Sequence, residues 1–376
     1  LPENIQTRLF FIDYLRAAII TLVILHHVAV IYAANIPFYY VEPNPDILAY
    51  VVLVIFEVFN QAWFMGLFFM LSGYFSPSSF DRKGPRLFIK DRLIRLGIPL
   101  LIFSFVLNPL TFFIGVPHIP AELLAKFGIS LPLTWQNYPK FIGFGPLWFI
   151  AMLLVFDFGY AAWRVASKKM KARTEHGYPS LTYRKIALFI LLLAAASYLT
   201  RIIVPMGHFV SYFPTLSYLP QYVSFFLIGV IAFHHDWFKI LSSSMATRVF
   251  IVALIATGIL FPLSLPGEHF LGNGNWQSAV YALWDSTFAV GMSMGLIVLF
   301  RRFFDAPGRF WRFLSQHSYT VYVIHIPIVV ALAALVLSRI SLEALLKFGL
   351  AVVVAVPLCW GAAYIIRKLP FFDRVL

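Results

Sequence analysis

Runs of about 20 apolar residues recur along the whole of this chain, and each is long enough to cross a hydrocarbon core of about 30 Å. The runs are continuous rather than alternating with a period of two, which argues against a barrel of transmembrane strands. Hydrophobic residues make up 61% and charged residues 12% of the 376 positions. Soluble domains carry about 25% charged residues, and a soluble fold of this length cannot hide so much apolar surface. The expected fold is therefore all-α, a polytopic bundle of about ten transmembrane helices. The spans are placed at Phe10–Ala33, Ile47–Phe75, Leu96–Val116, Leu147–Ala166, Ile186–Val204, Leu219–Phe233, Val249–Leu265, Ala279–Phe300, Tyr319–Ser338 and Leu342–Ile366. No linker rich in Gly or Ser, low-complexity tract or internal repeat divides the chain, so residues 1–376 are expected to form one domain.

The formal charge of +13 would suggest nucleic acid in a soluble protein. Here the basic residues gather in alternate loops, which makes them a topology signal and points away from nucleic acid. Arg82, Lys83, Arg86, Lys90, Arg92 and Arg95 follow span two. Lys168, Lys169, Lys171, Arg173, Arg184 and Lys185 follow span four, and Arg301, Arg302, Arg309 and Arg312 follow span eight. Arg367, Lys368 and Arg374 close the chain, while the loops NIPFYYVEPNPD and PGEHFLGNGNWQS hold no Lys or Arg. Basic loops stay in the cytoplasm, so both termini are expected there. The single cysteine, Cys359, lies in an apolar run and reads as a buried, inert thiol. The residues give no indication of oligomeric state.

Ionisable side chains inside spans are costly and by default mark function. In span one, YLRAAIITLVILHH, Arg16 and His27 are eleven residues apart. That is about 20° beyond three full helical turns and about 16 Å along the axis, so the two share a face. His26 points about 80° away from Arg16 and belongs to another face. Asp13 stands one turn before Arg16 and can pair with it. The stripe suits a ligand with an anionic body and a thin arm reaching into the membrane, the shape of an acyl-coenzyme A. It equally suits an arginine that snorkels to the interface and histidines that bond to neighbouring helices. Arg92 and Arg95, at i and i+3, form a guanidinium pair suited to phosphate or to lipid headgroups. By depth, Glu57 and Asp285 fall near His27, where either could accept a proton or orient the imidazole. Ser72-Gly73 reads as a small pair for close helix approach. His325, about two turns inside span nine, reads alone as a packing residue. No metal-ligand spacing, Gly-rich phosphate loop or nucleophile elbow occurs.

Taken together, these residues resemble the acyltransferase-3 family of integral membrane acyltransferases, which includes glucan-modifying and surface-polysaccharide O-acyltransferases. The resemblance runs from about Phe10 to the last span. It rests on Arg16 and His27, on FFMLSGY from Phe68 to Tyr74, and on Arg92, Arg95 and Pro99. It also rests on Leu147-Trp148 and on Ser318, Tyr319, Tyr322, His325 and Pro327 in SYTVYVIHIP. The chain departs from the family at Gly66, where many members carry an acidic residue, and at Pro146, where some carry histidine. No appended extracytoplasmic esterase-like domain is expected.

The resemblance implies transfer of an acyl group, commonly acetyl, from cytoplasmic acyl-coenzyme A. The acceptor would be a hydroxyl of a glycan or another membrane-associated molecule, at the bacterial cytoplasmic membrane among its lipids. His27 is the expected catalytic residue, as general base or as transient carrier of the acyl group. Arg16, Arg92 and Arg95 are expected to hold the donor, and no metal is expected to take part. Asp13, Glu57, Ser72, Trp148, Asp285, Tyr319 and His325 are the expected supporting residues. The competing class is a proton-coupled transporter, since ten spans with buried Arg, His, Asp and Glu suit one as well.

Overall fold

The computed structural model describes residues 9–43, 46–126, 134–167, 181–208, 210, 213 and 215–370. Lys168, Lys169, Lys171, Arg173 and Arg374 lie outside them. The order begins with α1 (Phe10–Ala33), α2 (Ile47–Gln61) and α3 (Phe64–Arg92). A π turn, α4 (Ile98–Ile102), a second π turn and α5 (Asn108–Gly115) follow, then the short α6 (Ala121–Lys126). The remainder is α7 (Trp148–Ala166), α8 (Tyr183–Ile203), α9 (Leu219–His234), α10 (Trp237–Ile240), α11 (Ser243–Ser264), α12 (Trp276–Phe303), α13 (Arg309–Ala331) and α14 (Ala344–Arg367). The chain is an all-helical membrane bundle; an isolated bridge between Val210 and Phe213 is the sole β feature among the described residues.

Among the described residues nine helical stretches are long and apolar enough to cross a membrane, but one of them, Ile47–His118, has 72 residues. At 1.5 Å per residue it would run about 108 Å, so it holds more than one crossing. The expected second span, Ile47–Phe75, divides at Ala62–Trp63. Its first half, α2, lies across one end of the bundle. Asn35, just past the end of α1, donates to Glu57 Oε2 at 3.0 Å. Phe56 meets Phe348 at the start of α14, Phe59 meets Phe261 near the end of α11, and Gln61 donates to the Tyr222 hydroxyl at the start of α9. All of these partners sit at the end away from the basic clusters. The crossing itself is α3, about 30 Å from Phe64 to the break at Gly84. There φ is +73°, which glycine adopts without strain, and Pro85 follows. The turn at Ala62–Trp63 lies in FNQAWFMG, where no Gly or Pro marks the break itself.

α1 runs through the middle of the bundle, buried against α13, α14, α12 and α2. α8, α11 and α14 lie at the periphery, with Leu192, Ile255 and Val353 turned outward as lipid-facing side chains should be. α3 and α9 run in the same direction and touch backbone to backbone. A Cβ on Gly73 would overlap the Phe226 carbonyl, and one on Gly229 would overlap the Met70 carbonyl. Gly73 is thus the packing member of the Ser72-Gly73 pair, and small residues at such a crossing let helices approach closely.

Gly73→Val should destabilise the bundle by roughly 1–3 kcal/mol or more, because the neighbour is backbone and cannot yield. Thermal unfolding in detergent measures this; an unshifted midpoint would contradict the close crossing. The orientation is checked with single cysteines at Ser244 and Asn273, exposed at opposite ends, in a Cys359→Ala background. Impermeant reagent should label Asn273→Cys in intact cells and spare Ser244→Cys.

Candidate active site

The stripe predicted on α1 faces a matching stripe on α13. Arg16 and Ile20 line a cavity of about 190 Å³ together with Ser318, Tyr319 and Tyr322. α3 adds Phe68, Leu71, Ser72 and Phe75, and α7 adds Phe149, Ile150, Leu153 and Asp157. Arg92 and Leu96, at the end of α3 and in the turn beyond it, close the basic side.

The cavity is cationic. Arg92 Nε stands 2.9 Å from Asp157 Oδ2, in an ion pair without hydrogen-bond alignment. Ser76 donates to the other carboxylate oxygen at 2.8 Å, and the Arg92 guanidinium lies 4.9 Å from the Phe88 ring centroid. Arg92 is therefore fixed through one nitrogen, and its other guanidinium nitrogens make no hydrogen bond among the described residues. Arg16 forms no ion pair and no hydrogen bond among the described residues. Asp13, a turn below, supplies an opposing charge. Two guanidiniums facing one space with one carboxylate leave an excess of positive charge for an anion.

Arg95 stands elsewhere. Its side chain is 62% exposed and pairs with Asp91 at 3.2 Å, outside the cavity. An α-helix would have kept Arg92 and Arg95 on neighbouring faces. The π turn over Leu93–Gly97 advances less per residue and swings Arg95 away. Arg95 serves the site through its backbone. Pro99 has no N–H to give the carbonyl four residues back, and the Tyr319 hydroxyl donates to that Arg95 carbonyl at 2.6 Å. Two stretches singled out in the sequence, Arg92–Pro99 and Ser318–Pro327, are thereby bonded to each other.

Above the cavity, away from the basic end, Phe68, Phe149 and Tyr322 form an aromatic roof. Their ring centroids are 5.7 Å apart for Phe68–Phe149 and 6.0 Å for Phe149–Tyr322. The Tyr322 hydroxyl is anchored on the Pro146 carbonyl at 2.5 Å. Beyond the roof stands His27. Its Nδ1 lies 2.9 Å from the Val23 carbonyl and 3.2 Å from Nε2 of His325. Phe38 stacks on the same ring at 5.8 Å. His26 turns aside to Phe64, and its Nδ1 is buried without a partner.

The carboxylates expected near His27 bond elsewhere among the described residues. Glu57 accepts from Asn35. Asp285 is bound to Arg201 in a fully buried ion pair, with the guanidinium over Tyr218 and Tyr281 at 4.8 and 5.4 Å. Trp148 packs between Phe69 and Tyr222 and lines no part of the cavity. The space beside Gly66 is filled from α9, since a Cβ there would meet Gln221 Oε1 at 3.0 Å. Asp157 and Tyr322 are the site residues that the sequence left without a role. Their signals were an aspartate inside span four and the second tyrosine of SYTVYVIH.

A cationic cavity toward one end and a histidine pair toward the other thus lie inside one helical bundle. The acyltransferase-3 family, described as an acyltransferase domain, matches residues 9–364, and the chain belongs to it. Glucans biosynthesis protein C of Salmonella heidelberg (strain SL476) is 24% identical over 352 residues, covering 89% of this chain and 85% of the relative. The protein of the same name from Escherichia coli O1:K1 / APEC is 24% identical over 359 residues with the same coverage. That of Shigella dysenteriae serotype 1 (strain Sd197) is 23% identical over 352 residues. No solved structure matches.

Arg201→Leu should lower stability by roughly 3–5 kcal/mol, because it leaves Asp285 charged and alone in the bundle. Arg201→Leu with Asp285→Leu should recover most of that loss and keep acyl transfer. Unfolding midpoints and turnover of the double variant check both points; an inactive but stable double variant would place the pair in the active site.

Proposed function

We propose that this acyltransferase moves an acyl group, in the first instance acetyl, from cytoplasmic acyl-coenzyme A to a hydroxyl of a glycan or another acceptor on the far side of the membrane. The observation that carries the reading is the cavity lined by Arg16 and Arg92 directly below His27. Its guanidiniums suit the phosphates of the donor, and its depth suits an extended arm carrying a thioester inward. The glucan-related relatives support a carbohydrate acceptor, and the basic end supports a cytoplasmic donor at the bacterial inner membrane.

In this reading Arg16 and Arg92 hold the anionic body, and Arg95 at the rim contributes attraction rather than contact. The arm passes Ser72 and reaches the roof, and Phe68 and Phe149 turn aside to admit the thioester to His27. His27 takes the proton from the acceptor hydroxyl, whose oxygen attacks the thioester carbonyl carbon. The carbon–sulfur bond breaks with its electron pair on sulfur. The proton on His27 passes to that sulfur, giving an ester and a free thiol.

Labelled acetyl-coenzyme A and the purified protein test this. His27→Ala should lose transfer by about 10²–10⁴-fold while still binding donor. Arg92→Ala should raise the donor KM by about ten- to a hundredfold, the worth of one charge-assisted contact, with a smaller effect from Arg95→Ala. Normal donor affinity in Arg16→Ala and Arg92→Ala would remove the donor from this cavity.

A further inference from the structure

The two imidazoles above the roof admit one hydrogen-bonding assignment in their neutral forms. A carbonyl oxygen only accepts. His325 Nδ1 lies 2.7 Å from the Tyr322 carbonyl, so it carries the proton and its Nε2 is a bare lone pair. His27 Nδ1 faces both the Val23 carbonyl at 2.9 Å and that lone pair at 3.2 Å. Two acceptors require a donor, so His27 is protonated on Nδ1. The other ring nitrogen, His27 Nε2, then holds the free lone pair. It makes no hydrogen bond among the described residues and is not sealed in the core.

We propose that His325 is the positioning partner of His27: it accepts from Nδ1–H, holds the ring against Phe38, and makes Nε2 the basic nitrogen. The proposal rests on the reading of His27 as the base. When Nε2 takes the acceptor's proton, the ring becomes an imidazolium, and the Nδ1–H bond to His325 becomes charge-assisted and stronger. His325 then does for His27 what a carboxylate does in a hydrolase triad, orienting the ring and stabilising its charged form. Neither Glu57 nor Asp285 bonds to either ring among the described residues, and an unpaired carboxylate at this depth would be costly. A neutral imidazole provides the acceptor without that charge. Its own orientation is secured by Tyr322, whose ring stacks on it at 5.8 Å and whose hydroxyl is tied to Pro146.

The test begins with the unsubstituted protein, labelled with ¹⁵N at its ten histidines and assigned with His27→Ala and His325→Gln. Nitrogen shifts should show His27 protonated on Nδ1 and bare on Nε2, with a correlation to His325 Nε2 through the shared proton. Protonation of His27 on Nε2, or no correlation, overturns the proposal whatever the activity. In turnover assays His325→Leu should lower kcat about ten- to a hundredfold, by analogy with the loss when hydrogen-bond partners of metal-binding histidines are removed, with the donor KM unchanged. His325→Gln, whose side-chain oxygen can accept from Nδ1–H, should recover most of that loss. Equal loss in both variants, each folded by thermal unfolding, would reduce His325 to packing. An active His27→Ala would instead refute the reading of His27 as base, and the nitrogen shifts would still decide the pairing.

Discussion

A polar stripe on a buried transmembrane helix must be covered by another polar stripe, because hydrocarbon offers nothing to bond to. The pairing of α1 with α13 meets that demand. At the basic end Arg16 shares a cavity with Ser318, Tyr319 and Arg92, where positive charge is left over. Further in, His27 and His325 satisfy one another. Between them lies an aromatic layer that separates the charged compartment from the imidazoles. The arrangement of α3 and α7 follows from it. Gly73 and Gly229 bring α9 against α3, and Asp157 on α7 fixes Arg92 at the mouth. A proline-released carbonyl at Arg95 receives Tyr319 and locks the third crossing to α13.

That stripe was legible in the sequence because helical periodicity is local: eleven residues bring Arg16 and His27 to one face whatever surrounds them. The class of fold was legible for the same reason, since length and apolarity decide it. What escaped depended on tertiary pairing or on irregular backbone. Arg95 looked like a twin of Arg92 until the π turn at Leu93–Gly97 rotated it outward. Asp285 looked like a partner for His27 by depth, but Arg201, eighty-four positions earlier, holds it. The run from Ile47 to Phe75 looked like one span, and its break carries none of the residues that usually mark a turn. His325 read as packing because its value lies in the neighbour it meets across the bundle.

The departures from the family pattern have physical counterparts. At Gly66 the absent side chain leaves room for Gln221, which anchors itself by donating to the Ala62 carbonyl at 2.7 Å. Pro146 supplies a carbonyl that fixes Tyr322. The space an acidic side chain would take at Gly66 is thus filled by an amide from another helix, while the His27 imidazole bonds to a second imidazole. The site works with little buried charge beyond the two arginines and their aspartate.

The central claim is that the acyl donor enters through the arginine-lined cavity and presents its acyl carbon to His27. An acyl-coenzyme A bearing a photoreactive diazirine on its acyl group, irradiated with the purified protein and mapped by mass spectrometry, tests it directly. The account predicts adducts on His27 and on the roof residues Phe68, Phe149 and Tyr322, suppressed by excess acetyl-coenzyme A. Competable adducts confined to α8, α11 or α14, on the lipid-facing side of the bundle, would contradict it.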